Sequence, residues 1–269
     1  MTTHDRLPLD EVEAALQALS APAPPDLATA TLVAVGLADE FAPMETAIGE
    51  VLVAWNGVGV SAVDQPGDPG AFEQRVRAMT GRPIRAAAAL PDRLRVALAR
   101  RLAGDRRATV PLDLRGRTEF ERAVWLKALE IPRGEVRPYG WVAREIGRPR
   151  AVRAVGSALA HNPVPLVVPC HRVVRSDGLI GQYSLGGSEV KRRVLATEGL
   201  DPDAVEAVAR RGIRYIGSRT TRVYCLPSCH NARRITDRHR VPFRSASASE
   251  AAGYRACREC RPVAPGRAA

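Results

Sequence analysis

A cysteine of this chain is followed directly by a histidine, in the stretch Val168-Pro-Cys-His-Arg-Val-Val174. The thiolate is the nucleophilic form of a thiol, so a reactive cysteine needs a neighbour that takes its proton. His171 is placed to take the proton from Cys170, and Glu198 on a predicted helix over 188–199 is placed to orient the imidazole. The alternative is a buried structural cysteine beside a histidine, with the whole stretch forming a strand.

The other four cysteines form two close pairs in the last quarter of the chain. Cys225 and Cys229 are separated by three residues, Cys257 and Cys260 by two, and 27 residues lie between the pairs. This spacing suits a tetrahedral zinc ion with four thiolate ligands, and clustered cysteines in a cytosolic chain favour a metal over disulfides. The residues alone leave a purely structural zinc site as the simpler interpretation.

Positive charge is concentrated around those four cysteines. Residues 205–269 hold 14 arginines against four acidic residues, which accounts for +10 of the chain's net charge of +11. Such an excess predicts a polyanionic partner, nucleic acid first, with a solvated basic tail as the alternative. The chain has neither an apolar run long enough for a membrane span nor a basic-then-apolar signal at its start, so a cytoplasmic protein without a membrane is expected.

The first half of the chain reads as a small mixed domain that carries no catalytic residues. Residues 9–20 have helical spacing and are followed by a Pro/Ala linker over 21–26. Short apolar runs between 31 and 63 are split by turn signals, among them Asn56-Gly57 as a hairpin turn. A helix over 91–104 and a strand over 109–114 complete an α/β or α+β domain.

From Arg117 onward the pattern becomes helical. Residues 118–130 begin with a Thr-x-x-Glu capping box. Two short helices over 139–147 and 150–160, joined by a Gly-Arg-Pro turn, fit a helix-turn-helix, although many helical hairpins share this pattern. The acidic residues 201–206 bridge to the basic segment.

A family resemblance gives the lone cysteine a role. The stretch "RPYGWVAREIGRPRAVRAVGSALAHNPVPLVVPCHRVVRSDGLIGQYSLGG", with the Lys and Glu-Gly beyond it, resembles the O6-alkylguanine-DNA alkyltransferases, or methylated-DNA–protein-cysteine methyltransferases. The resemblance covers residues 118–199, and residues 29–115 resemble the family's ribonuclease-H-like N-terminal domain. It implies an α/β plus α+β fold with a winged-helix-like helix-turn-helix catalytic domain.

The resemblance also implies roles for individual residues. Cys170 would accept the alkyl group after the base is flipped out of the duplex, with His171 and Glu198 as the proton relay. Asn162 would brace the turn before the active-site strand. Tyr139 would crowd the phosphate of the target nucleotide, and Arg153 would fill the gap that the flipped base leaves in the base stack. The small residues Ala154, Gly156 and Ser157 would let their helix enter the minor groove. Tyr183 and Ser184 would line the guanine pocket. The loop from Tyr183 to the next lysine is one residue longer than is usual in the family.

The stretch "IGSRTTRVYCLPSCHNARRI", together with "ASEAAGYRACRECRP", is similar to the metal-binding N-terminal domain of the Ada adaptive-response protein. The similarity covers residues 208–262. It implies one Zn²⁺ held by Cys225, Cys229, Cys257 and Cys260, with Cys225 as the acceptor of methyl groups from DNA phosphotriesters. In Ada proteins this domain comes first and an activator module follows it. Here it comes last and no such module is visible.

Together the two resemblances imply a monomeric, stoichiometric DNA-repair protein that binds duplex DNA through the minor groove with little sequence preference. We expect an N-terminal extension over 1–28, a ribonuclease-H-like domain over 29–115, a catalytic domain over 116–204 and a zinc domain over 205–269. One alternative is a single-site alkyltransferase with a structural zinc clamp. Another is a methylation-sensing transcriptional regulator, which the missing activator module disfavours. A cysteine hydrolase is disfavoured because no oxyanion-hole signature is present.

Overall fold

The computed structural model describes Glu13 and residues 27–262. The predicted helix over 9–20, apart from Glu13, and the linker over 21–26 therefore lie outside the described residues. Of the helices in the described part, none has the length and apolar character needed to cross a membrane.

The N-terminal part is a four-stranded sheet flanked by helices. Its elements are α1 (Leu27–Ala34), β1 (Asp39–Thr46), β2 (Gly49–Trp55), β3 (Val60–Asp64), α2 (Pro69–Thr80), β4 (Ile84–Ala86) and α3 (Asp92–Leu102). The strand order is β3-β2-β1-β4, with the first three strands antiparallel and β4 parallel to β1. Phe72 and Val76 of α2 pack against one face of the sheet. The other face belongs to a core that continues into the next part of the chain.

Three local features of this part differ from the sequence-based expectations. The apolar run over 31–38, grouped above with the strand-like runs, forms the end of α1 and the turn after it. The hairpin at Asn56 is present, but its loop has four residues, closed by a hydrogen bond from Asn56 N to Gly59 O at 3.0 Å. The predicted strand over 109–114 is wrong: Leu112 makes an isolated bridge to Val60, and Pro111 has no N–H for a longer ladder.

The middle part consists of helices around one short parallel strand pair. Its elements are α4 (Glu119–Ala128), β5 (Arg137–Pro138), α5 (Tyr139–Glu145), α6 (Val152–Ala160), β6 (Val173–Val174), α7 (Gly187–Thr197) and α8 (Pro202–Arg210). The capping box at Thr118 and Glu121 is confirmed. Trp125 is fully buried in α4, and its Nε1 donates to Ala158 O at 2.8 Å, which ties α4 to α6.

Two stretches of the middle part are not what the sequence suggested. Residues 168–174 do not form one strand, because Cys170–Arg172 is a 3₁₀ turn that precedes β6. Pro169 ends the extended chain, and Arg172 N donates to Pro169 O at 3.0 Å, which closes the turn. The acidic stretch after Leu200 is helix α8, capped by Asp201 and opened by Pro202. It runs across the expected domain boundary at 204/205.

The C-terminal unit, residues 213–262, is a second small sheet. Its elements are β7 (Tyr215–Ser218), β8 (Val223–Cys225), α9 (His230–Arg233), a 3₁₀ turn (Asp237–His239), β9 (Arg240–Phe243), α10 (Ala246–Ala251) and β10 (Arg255–Ala256), with strand order β10-β8-β7-β9. Its core is a separate cluster built from a few aromatic side chains and the four cysteines. So small a core is typical of domains that need a metal or disulfides for stability.

Candidate active site and metal centre

Asn162 holds the loop that presents the lone cysteine. Its Nδ2 donates to Cys170 Sγ and to Val168 O, both at 3.0 Å, and its Oδ1 accepts from Val164 N at 3.1 Å. The N–H of Val164 can only donate, so this contact fixes which end of the amide faces the sulfur. Leu166 in the same loop is left-handed, with φ of 71°, a strained conformation for a branched residue. The Asn162 side chain therefore stabilises a conformation that the backbone alone disfavours.

His171 lies beside a carboxylate, as the sequence predicted. Its Nε2 is 3.0 Å from Glu198 Oε1. Arg172 donates to both oxygens of the same carboxylate, from Nε at 2.9 Å to Oε2 and from Nη2 at 2.6 Å to Oε1. His171 Nδ1 is buried and has no hydrogen-bond partner among the described residues. One ring nitrogen is thus fixed by Glu198 and the other is free to exchange a proton.

Burial and charge set the protonation states of this group. Burial lowers the pKa of His171, and the Arg172 and Lys191 charges act in the same direction against Glu198, so the imidazole is neutral at pH 7. Burial would raise the pKa of Glu198, but hydrogen bonds from His171 and Arg172 lower it to about 2. Burial raises the pKa of the Cys170 thiol, against the lowering effects of the Asn162 hydrogen bond and the Lys191 charge. At rest the site therefore holds a thiol, a neutral base and a carboxylate.

Lys191 is a site residue that the sequence analysis missed. Its side chain is fully buried in α7, and its Nζ donates to Val173 O at 2.6 Å and to Gln182 O at 3.2 Å. Burial lowers its pKa to about 8, although the nearby Cys170 sulfur acts in the other direction. Two sequence signals were available: Lys191 lies on the apolar face of its helix, and it is one of two lysines among 40 basic residues.

The two predicted pocket residues of the long loop differ in exposure. Tyr183 is buried, with its ring edge-on to His171 at a centroid distance of 5.9 Å. Ser184 is exposed, and its hydrogen bond lowers the pKa of Cys170. Leu185 in the same loop is buried, and its carbonyl accepts from Gln65 Nε2 of the N-terminal part at 3.4 Å. The loop is therefore anchored on the sheet domain.

The predicted DNA-contacting residues of the helix pair lie on an outer surface. Arg153, Ala154 and Ser157 are exposed on α6, and Gly156 is partly exposed, whereas the opposite side of the helix is buried. Tyr139 opens α5 and is half-buried, and burial raises its pKa with a contribution from the Cys170 sulfur. Tyr139 thus lies near the thiol, while the other four lie on the solvent-facing side of α6.

The four remaining cysteines converge. The sulfurs of Cys225, Cys229, Cys257 and Cys260 lie within 4.8 Å of one another, and all four residues are buried. A tetrahedral zinc ion with bonds of about 2.3 Å places its sulfurs ~3.8 Å apart, so the set fits this ion. Leu226 N donates to Cys260 Sγ at 3.3 Å and Asn231 Nδ2 to Cys257 Sγ at 3.7 Å, contacts that stabilise thiolates.

A basic cleft of about 510 Å³ opens over one side of this cluster. Cys225 and Cys257 line it, whereas Cys229 and Cys260 do not. The other lining side chains include Thr220, Thr221, Arg234, His239, Arg255 and Arg258. A ligand in the cleft therefore meets hydroxyl groups, positive charge and the side of the cluster to which Cys225 belongs.

Two family models match separate parts of the chain. Residues 119–200 match the family described as "6-O-methylguanine DNA methyltransferase, DNA binding domain", and residues 206–263 match "Metal binding domain of Ada". A methylated-DNA--protein-cysteine methyltransferase of Mycolicibacterium paratuberculosis is 51% identical over 89 residues, covering 33% of this chain and 53% of that protein. The bifunctional transcriptional activator/DNA repair enzyme Ada of Escherichia coli is 37% identical over 164 residues, covering 60% of this chain and 46% of that protein.

Among solved structures, the chain is similar to Mycobacterium tuberculosis OGT, crystallised in complex with DNA. The two are 31% identical over 62% of this chain and 98% of the OGT chain, with a TM-score of 0.48. The chain spans about half the length of the curated relatives it matches.

The geometry defines a protein with two thiol centres, one a single cysteine with a neighbouring base and the other a four-cysteine metal centre. By its two family matches, the chain carries a domain of the methylated-DNA–protein-cysteine methyltransferase family followed by a metal-binding domain of the Ada family.

Proposed function

We propose that this protein repairs DNA by direct reversal, moving the alkyl group of O6-alkylguanine irreversibly onto Cys170. The observation that carries the proposal is the arrangement at Cys170, where Asn162 donates to the sulfur and His171 is held by Glu198. The name of one relative refers to methylated DNA and a cysteine acceptor, and that of another refers to DNA repair. Cys170, His171 and Glu198 all lie within residues 119–200, which match the methyltransferase family model.

The chemistry needs no cofactor at this site. The thiol proton passes to His171 Nδ1, directly or through one water, because Nε2 is engaged by Glu198. The Cys170 thiolate then attacks the alkyl carbon, a C–S bond forms and the bond from that carbon to guanine O6 breaks. Guanine leaves with the electron pair and is protonated from His171. The thioether has no route back, so each molecule reacts once.

The target base must leave the stack to reach a buried sulfur. We propose that the exposed face of α6 enters the minor groove of duplex DNA, where its small side chains allow close approach and Arg153 takes the place of the flipped base. Tyr139 would press on the backbone of the flipped nucleotide, and Tyr183 and Ser184 would line the base pocket. Binding would rest on phosphate contacts with little sequence preference, by a monomer associated with the nucleoid in the cytoplasm.

We further propose that the metal centre holds one Zn²⁺ and that Cys225 accepts methyl groups from DNA methyl phosphotriesters. Bound zinc keeps the four sulfurs deprotonated at neutral pH. The basic cleft favours Cys225 and Cys257 over the other two cysteines, because Arg234, Arg255 and Arg258 would pair there with the phosphates flanking a neutral triester. Between those two, the resemblance to the Ada domain selects Cys225. The sulfur attacks the methyl carbon, and the phosphodiester anion leaves.

The expected division into a ribonuclease-H-like domain over 29–115, a winged-helix-like catalytic domain over 116–204 and a zinc domain over 205–269 is part of this proposal. The sheet order β3-β2-β1-β4 and the helix pair α5–α6 support the two fold names. Residues 1–28 have no assigned role.

The test is peptide mapping by mass spectrometry after incubation with duplex DNA that carries either O6-methylguanine or a methyl phosphotriester. We expect one added methyl on the Cys170 peptide with the first DNA and on the Cys225 peptide with the second. Methyl on Cys170 alone would support a single-site alkyltransferase with a structural zinc clamp. No methyl on either cysteine would refute the proposed function.

A matched pair of variants separates the two roles of Cys225. Cys225→Ser and Cys260→Ser each remove one metal ligand, but Cys225 lines the cleft and Cys260 does not. If Cys225 is the acceptor, Cys260→Ser retains some phosphotriester transfer in excess zinc and Cys225→Ser retains none. Equal residual transfer by the two variants would show that Cys225 is only a ligand.

A further inference from the structure

The segment that leads into β5, residues 133–137, contacts the Cys170 relay at its first end. Gly134 N donates to Glu198 Oε2 at 3.4 Å. Gly134 is left-handed, with φ of 72°, and a Cβ there would lie 2.9 Å from Glu198 O, so the two backbones touch. Arg133 Nη2 donates to the carbonyl of Thr197, the residue before Glu198. This end of the segment therefore packs directly on the residue that orients His171.

The other end of the segment contacts the loop that carries a metal ligand. Val136 N donates to Ser228 Oγ at 3.0 Å, and Ser228 Oγ donates to Val136 O at 3.1 Å. Glu135 Oε1 accepts from His230 N at 3.0 Å. Ser228 and His230 are the residues on either side of Cys229, so the segment holds this ligand from both sides.

These contacts are buried, and a second ligand is held in the same way. Glu135 is 2% exposed and Ser228 is 3% exposed. Trp141, on α5, donates from Nε1 to Cys260 O at 2.9 Å. Removing one partner of a buried hydrogen bond destabilises the protein, so these contacts favour one arrangement of the chain. The middle part of the chain thus helps to position Cys229 and Cys260.

We propose that the metal centre positions the relay at Cys170, through Ser228 and the 133–137 segment. The inference rests on the proposed function. The four cysteines would hold the metal ion, and their ligation would fix the loop around Cys229. Ser228 in that loop holds Val136, and the segment keeps Gly134 against Glu198. Release of the loop loosens Glu198 and with it the orientation of His171. Ser228 is thus a positioning residue for the reaction at Cys170.

The first experiment compares Ser228→Ala with Ser249→Ala in the full metal-loaded chain. Ser249 is also a buried serine of the C-terminal unit, but its Oγ donates to Ser245 O within α10, away from the segment. The measurements are the single-turnover rate constant of Cys170 methylation at saturating DNA carrying O6-methylguanine, and the Kd for the same DNA.

Ser228→Ala is expected to lower the rate constant by about 3-fold to 10-fold with an unchanged Kd, since small misplacements of reacting groups slow chemistry more than binding. Ser228→Thr, which keeps the hydroxyl, should recover part of the rate, and Ser249→Ala should match the unmodified chain. Equal rate constants for Ser228→Ala and Ser249→Ala would overturn the proposal. A complete lack of methyl transfer by the unmodified chain would instead refute the proposed function.

A second readout needs no DNA. Iodoacetamide labelling of the Cys170 peptide is followed by mass spectrometry in the metal-loaded chain, after chelation, and in the two serine variants. Because Cys170 is only 5% exposed, a loosened site should label faster, by at least about 3-fold after chelation and in Ser228→Ala, and not in Ser249→Ala. A labelling rate that chelation leaves unchanged would overturn the proposal whatever the DNA reaction shows.

Discussion

The two thiol centres obtain a reactive sulfur in opposite ways. Cys170 is a single thiol whose pKa is raised by burial and lowered by the Asn162 hydrogen bond and the Lys191 charge. In the proposed reaction, His171 takes the proton of this thiol. Cys225 belongs to a cluster of four sulfurs that fits a zinc ion. In the proposed reaction it would need no base, because a bound metal ion would keep the sulfurs deprotonated. The first centre is therefore sensitive to single side chains and to pH, and the second is sensitive to the metal.

The largest effect should come from removing the lone sulfur. Cys170→Ala is expected to lower methyl transfer from O6-methylguanine by on the order of 10⁴-fold or more, because no other group there can act as nucleophile. Transfer from a methyl phosphotriester should be unchanged. Both rates are followed by peptide mapping. Slower methyl transfer to Cys225 in this variant would show that the two centres do not react independently.

Metal removal should show the reverse pattern. A chelator at neutral pH is expected to abolish transfer to Cys225 and to unfold much of the C-terminal unit, since structural zinc contributes on the order of 10 kcal/mol in small domains. Methyl transfer to Cys170 should slow only by about 3-fold to 10-fold, the factor expected when Ser228 no longer holds the 133–137 segment. Zinc content and the near-UV signal of the tyrosines in this unit are the measurements. A C-terminal unit that stays folded without metal would contradict this prediction.

The relay should have an intermediate effect that is confined to Cys170. Glu198→Gln is expected to slow transfer from O6-methylguanine by roughly 10²-fold to 10³-fold, because His171 loses the carboxylate that stabilises its protonated form. Stability should also fall, by about 3 kcal/mol, as Arg172 is left without a charged partner at a mostly buried site. His171→Gln should cost a similar factor in rate while leaving the Arg172–Glu198 pair intact. If Glu198→Gln slowed the transfer and His171→Gln did not, the loss of stability, and not the loss of the relay, would explain the slower transfer.

Lys191 gives a pH test of the same centre. Its charge lowers the pKa of Cys170, so Lys191→Met should shift the rise of the rate with pH to higher pH and lower the rate at pH 7 by about 10-fold, one pKa unit's worth. The pKa of Lys191 is about 8 in the folded chain and 10.5 ordinarily. The unfolded chain thus binds more protons between these values, and stability should rise with pH in that window. Urea unfolding at several pH values should show that rise in the unmodified chain and lose it in Lys191→Met.

The cysteines of the two centres could be predicted from the sequence better than the residues that position them. Cysteine spacing and the Pro-Cys-His-Arg run place the sulfurs because metal ligation and nucleophilic chemistry demand particular residues at short range. Lys191 was missed because its two sequence signals, its place on the apolar face of a helix and the rarity of lysine in this chain, do not show which groups it contacts in space. The alternative of a single strand over 168–174 is wrong because Pro169 and the Asn162 brace override the β-branched pattern. The docking of Ser228 on Val136 joins residues 92 positions apart, which no local pattern reveals.

The smallest effects should come from surface arginines, and they test whether the two centres use separate DNA contacts. Arg153→Ala on α6 is expected to lower the rate of methyl transfer from O6-methylguanine by roughly 5-fold at low salt. Arg258→Ala in the cleft at Cys225 should lower the rate of transfer from a phosphotriester by a similar factor. A methyl phosphotriester is itself neutral, so Arg258 would act on the flanking phosphates, and its contribution should fade as salt rises. Each variant serves as the control for the other, with both rates measured across a salt series. If either substitution slowed both reactions equally, the two centres would share one DNA-binding face, and their difference would lie only in how each sulfur is activated.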